Sequence, residues 1–144
     1  MNKWIAGLAL AGGVLLAGPA LAQMERATAP AGTEVYFISP QEGATVESPL
    51  TVRMGLKGMG VAPAGTQADG TGHHHLLVDT PLDEVELDRP LPANDAMRHF
   101  GGGQTETTLE LEPGEHTLQL LFMDANHLSF APPVTSGPLT ITVE

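Results

Sequence analysis

The sequence predicts an all-β domain, an immunoglobulin-like antiparallel β-sandwich of about seven strands spanning residues 34–144. Three observations carry this. Short β-branched or alternating apolar runs recur roughly every ten residues, turn residues separate them, and no long helical period occurs anywhere. Internal repeats are absent.

Glu34-Val35-Tyr36-Phe37-Ile38 is the first expected strand, ended by Ser39-Pro40. From Leu50 to Lys57 the residues Leu50, Val52, Met54 and Leu56 alternate with Thr51, Arg53, Gly55 and Lys57, so one face is apolar. A Gly/Pro/Ala loop over residues 58–72 leads to a strand over His73–Asp79, which Thr80-Pro81 stops. A short strand is expected over Glu84–Leu87, then a loop from Pro90 to Gly103. Strands over Gln104–Leu111 and His116–Met123 flank the turn Glu112-Pro113-Gly114-Glu115. A loop from Asp124 to Gly137 precedes the last strand, Pro138–Val143. Val52, Leu56, Leu118, Leu120, Phe122 and Ile141 are the expected core.

Ahead of the domain, Lys3, the apolar run Trp4–Gly18 and Pro19-Ala20-Leu21-Ala22 have the layout of a cleavable signal peptide over residues 1–22. The run is too short to span a bilayer. Residues 23–33, without periodicity, read as a mobile leader. The expected location is the periplasm or the exterior, with no stable membrane insertion after cleavage. The chain contains no cysteine, so apolar packing, helped by any bound ion, must hold the domain together. After cleavage five basic residues face seventeen acidic ones, a net charge of −12. That charge argues against nucleic acid and anionic membrane surfaces as partners; it favours cations, and it equally reads as the solvated surface that keeps a small protein soluble.

Six histidines are conspicuous in such a chain, at positions 73, 74, 75, 99, 116 and 127. On a strand His73 and His75 project together, and His74 projects oppositely with Leu76 and Val78. In an antiparallel sandwich the loops near His73 and His75, His99 and His127 gather at one end, provided that the strand over Glu84–Leu87 exists. His116 starts a strand at the other end and is excluded. Clustered neutral imidazoles make a coordination set for zinc or copper, and a thioether would favour Cu(I). Met59, between two glycines, is the candidate thioether; Met54 shares the core face. The expected metal ligands are therefore His73, His75, His99, His127 and Met59.

His99-Phe100-Gly101-Gly102-Gly103 is not a phosphate loop, because no helix and no Lys/Ser pair follow it. Neither a Gly-x-Ser-x-Gly elbow nor a His-Glu-x-x-His motif is present, so no residue set argues for an enzyme. A metalloenzyme would need an open coordination position and a base such as Asp124 or Glu106. Two readings remain: a copper or zinc carrier or buffer, and a cell-envelope interaction module that holds a protein or glycan partner through the same loops.

Five segments together resemble the bacterial domain of unknown function 4399 family: Gly58–Gly65, Gly72–Asp79, His99–Glu106, Pro113–Leu120 and Pro132-Pro133-Val134. The resemblance covers nearly all of the chain after the signal peptide. It implies a small exported domain without an established activity. The family pattern has a further histidine three places after the one matching His127, where this chain has Phe130.

Overall fold

A computed structural model describes residues 24–144, and the expected signal peptide lies outside them. Among the described residues ten strands are present, against about seven expected: β1 (Glu34–Ser39), β2 (Thr45–Val46), β3 (Leu50–Lys57), β4 (Gly60–Val61), β5 (Thr71–Val78), β6 (Met97–His99), β7 (Glu106–Leu109), β8 (Gly114–Met123), β9 (Ser129–Thr135) and β10 (Leu139–Val143). The only helical element among the described residues is one 3₁₀ turn, Leu82–Glu84. No helix there is long and apolar enough to cross a membrane.

The strands form two sheets. One has the order β1-β3-β7, and the other runs β2-β10-β8-β5-β4, with β6 paired to β5 and β9 to β8. Pairing is antiparallel except for β2 with β10 and β4 with β5. Val35, Leu50, Val52, Met54 and Leu109 of the smaller sheet pack against Leu76, Val78, Leu118, Leu120, Phe122 and Ile141 of the larger one. Five of the six expected core residues are buried there. Leu56, near the end of β3, is only partly buried against the same cluster.

The centre of the larger sheet is buried on both faces. Leu77, Leu121, Met123 and Leu128 are buried although they lie outside the inter-sheet cluster. This explains why β5 is buried at every residue after Thr71, where simple alternation would leave one face wet.

Three expectations need correction. Residues 84–87 form no strand, because the chain after Pro81 turns: Glu84 and Val85 donate their N–H groups to Pro81 O and Leu82 O. The strand forms later, as β6, inside the expected loop. The Asn94 side chain accepts N–H groups from Ala96 and Met97 and turns the chain alongside β5. The third correction is β9, which occupies half of the expected loop from Asp124 to Gly137. Pro132 and Pro133 conceal it in the sequence, since proline withholds a ladder donor.

Residues 24–33, read from sequence as a mobile leader, lie along β9. The Arg26 guanidinium donates to Ser129 O and Oγ and to Phe130 O, and Ala27 O accepts from Ala131 N–H.

Candidate metal site

The site grows out of the alternation of β5. Leu76 and Val78 face the inter-sheet core, and His74 shares their side, its ring 5.1 Å from that of Phe122. His73 and His75 must therefore project from the opposite, outer face of the larger sheet. Two further elements bring histidines to this face.

The first is β6, whose antiparallel register sets His99 directly across from His75. Cross-strand partners share a face, so the imidazole of His99 stands beside that of His75. Gly101 makes room for it: a Cβ there would lie only 2.3 Å from a ring carbon of His99. Among the three consecutive glycines, this is the one that the site requires.

The second element is the turn after β8. In the β5–β8 register Met123 pairs with His73, so the chain leaves the sheet close to that histidine. Asp124 then closes a tight turn. Its Oδ1 accepts the N–H groups of Asn126 at 2.8 Å and Leu128 at 2.9 Å, and its carbonyl accepts the N–H of His127 at 3.1 Å. The turn holds His127 at φ 63°, a left-handed conformation that is uncommon for residues other than glycine and that histidine, like asparagine and aspartate, adopts more readily than most. It sends the imidazole back over the sheet.

Four rings consequently converge. Ring centroids lie 5.0 Å apart for His73–His99 and His73–His127, and 4.6 Å apart for His99–His127. His75 lies 4.8 Å from His73, 5.0 Å from His99 and 6.0 Å from His127. Ligating nitrogens of His73, His99 and His127 all come within 4.8 Å of one another. His99 and His127 face each other through Nε2 atoms 3.0 Å apart.

The environment is dry on the sheet side. His73 and His75 are 0% and 1% exposed, whereas His99 and His127 are half-buried. No ring nitrogen of His73, His74 or His75 has a hydrogen-bond partner. Burial, reinforced by the neighbouring histidines, lowers His73 to about 4 and His75 to about 3. Burial alone lowers His74 to about 4. His99 is also lowered, by burial and then by His127. These imidazoles are neutral at pH 7, the form in which a ring nitrogen can bind a metal.

The remaining candidates lie elsewhere. Met59 packs, partly buried, against the inter-sheet core, and Met54 lies within it. His116 stands apart, its Nδ1 2.7 Å from Asp79 Oδ2 and its Nε2 2.8 Å from the carbonyl of Glu112. Both contacts favour the imidazolium, and the Asp79 bond, first among them, raises His116 above its usual value. Unlike the three consecutive histidines, it is fully partnered.

A family model described as a domain of unknown function (DUF4399) matches residues 52–144, which is well over half of the chain and includes all four converging histidines. The chain belongs to the DUF4399 family. No curated protein and no solved structure matches this DUF4399 chain. The site must therefore be read from its own geometry. Sequence reasoning missed Gly101 and the turn-closing role of Asp124, and the glycine run was the available signal for the first.

Proposed function

We propose that this DUF4399 domain is an exported metal-binding module on an immunoglobulin-like sandwich, a carrier or buffer of copper or zinc in the periplasm or outside the cell. The observation that carries the reading is the convergence of His73, His99 and His127, with His75 beside them, on one buried patch of sheet.

Leaving buried polar nitrogens unpaired costs about 1–3 kcal/mol each. An ion held by the trio would offset part of that cost at His73. The same deficiency at His74 lies on the other face of the sheet, beyond the reach of such an ion. Nitrogens bound at ~2.1 Å to a tetrahedral ion lie about 3.4 Å apart. The observed separations, from 3.0 Å for the His99–His127 pair to 4.8 Å, bracket that value. With Met59 against the core, the donors are imidazoles alone, which suits Zn²⁺ or Cu²⁺ more than Cu(I). The acidic composition draws cations toward the domain without selecting among them.

A histidine-based recognition surface for a protein or glycan is the competing reading. The burial of His73 and His75 weighs against it, since a partner could touch only His99 and His127. Titration of the untagged chain with Cu²⁺ and Zn²⁺ at high and low salt tests the proposal. One ion per chain, held independently of ionic strength, is expected. Weak, salt-sensitive binding alone would instead leave the interaction-module reading as the better one.

A further inference from the structure

A zinc or copper ion held by three imidazoles needs at least one more ligand. The chain has few donors to offer. His75 is the nearest, but its centroid lies 6.0 Å from that of His127, whereas the centroids of the trio lie 4.6–5.0 Å apart. Asp124 turns its Oδ1 into its own loop, and Met59 packs against the core. On the solvent side, His99 and His127 are only half-buried, so the trio, unlike His75, borders solvent.

We infer that the ion is held by His73, His99 and His127, that its remaining position takes an exchangeable small ligand, water or a monodentate anion, and that His75 is the positioning residue that hydrogen-bonds this ligand. The inference rests on the metal-binding reading above and deepens it.

His75 suits this role for two reasons. Both its nitrogens are buried without a partner, so the apo site leaves a donor and an acceptor unused. Its ring also stands 4.8 Å and 5.0 Å from those of two trio members, close enough to address what they bind but offset from the third. A neutral imidazole can accept from a bound water through one nitrogen, or donate to a bound anion through the other. Such a partner beyond the ligand shell orients what the metal holds and tunes its strength of binding. An exchangeable position also makes the ion a Lewis acid toward its fourth ligand, which a closed four-imidazole shell would prevent.

The test uses the untagged chain loaded with Cu²⁺, with azide as the probe. Azide should produce a charge-transfer band that saturates at one azide per ion. Pulsed EPR should count three coordinated imidazoles, both in the parent and in His75→Phe. In His75→Phe azide affinity should fall at least about fivefold, and His75→Gln, which keeps a donor and an acceptor, should restore much of it. Four coordinated imidazoles in the parent, or a site that gives no response to azide, would overturn the inference while leaving the metal reading intact. Failure to bind Cu²⁺ at one per chain would overturn the metal reading itself. Unchanged azide affinity in His75→Phe would overturn the role of His75; should both variants fail to fold, a parent azide affinity that does not weaken as pH falls into the range in which His75 takes up a proton would do the same, while the parent's nitrogen count still decides the open position.

Discussion

His99 and His127 face each other through Nε2 atoms 3.0 Å apart, although 28 residues separate them in the chain. One of the two nitrogens must carry a proton for that contact to be a hydrogen bond; an ion between the rings would replace the proton. The pair is thus the point at which protons and metal compete most directly.

Removing either half of this pair should weaken metal binding strongly. His99→Ala and His127→Ala are each expected to lower affinity for Cu²⁺ or Zn²⁺ at least about 100-fold, since loss of a ligand should exceed the 10–100-fold typical of an outer-shell change. His116→Ala should bind like the parent, because that ring is engaged by Asp79 and Glu112 and stands apart from the cluster. Competition with a chromophoric chelator measures all three. Equal affinities across the set would refute the site.

Gly101→Ala tests the cradle. The added Cβ would stand 2.3 Å from the His99 ring, so the ring must move. Metal affinity should fall about tenfold or more while thermal stability changes by less than about 1 kcal/mol, because Gly101 is outside the inter-sheet core. Parent-like affinity would mean that the position of the His99 ring is not critical to binding.

His74 lies in the apolar core beside Phe122, both its nitrogens without partners. His74→Leu should therefore raise stability, by about 1–3 kcal/mol, and leave metal binding unchanged. Denaturant unfolding of the apo chain provides the measurement, and a destabilised variant would show that the ring meets a need that its surroundings do not reveal.

The pH dependence of the apo domain follows from these depressed values. In the unfolded chain a histidine takes up a proton near pH 6.5, whereas folded His73 and His74 do so near 4 and His75 near 3. Between those limits the unfolded state binds more protons. Stability conferred by these groups is thus fully present above about pH 6.5 and declines as pH falls toward about 3. His116 acts in the opposite sense: its raised value contributes stability below pH 6.5 that is lost as pH rises through the folded value. Melting curves from pH 8 to 4 should show a steep acid decline, shallower in His74→Leu and steeper in His116→Ala. A flat profile for the parent would contradict the burial of the histidine triplet.

Much of the fold was legible because its signals are local. The alternation Leu50, Val52, Met54 placed β3, and Leu118, Leu120 and Phe122 placed the inward face of β8; all six are buried. The same alternation separated His73 and His75 from His74, since side-chain direction on a strand depends only on parity. What misled the reading was competition between local signals. Val85 and Leu87 resembled a strand but follow a proline-initiated turn, and the prolines of β9 resembled a loop although the chain there pairs with β8.

By itself, then, the sequence determined the class of fold, the absence of disulfides, the acidic charge and the parity of the histidine triplet, all consequences of composition or of neighbours along the chain. Only the tertiary structure decided that His99 stands across from His75, that Asp124 turns His127 back over the sheet, and that Met59 goes to the core instead. It also set the cluster on the outer face of the larger sheet, away from the sandwich interior. These are matters of register and turn geometry between segments far apart in sequence. The pairing energy that fixes them belongs to two strands at once, so neither strand's residues reveal it alone.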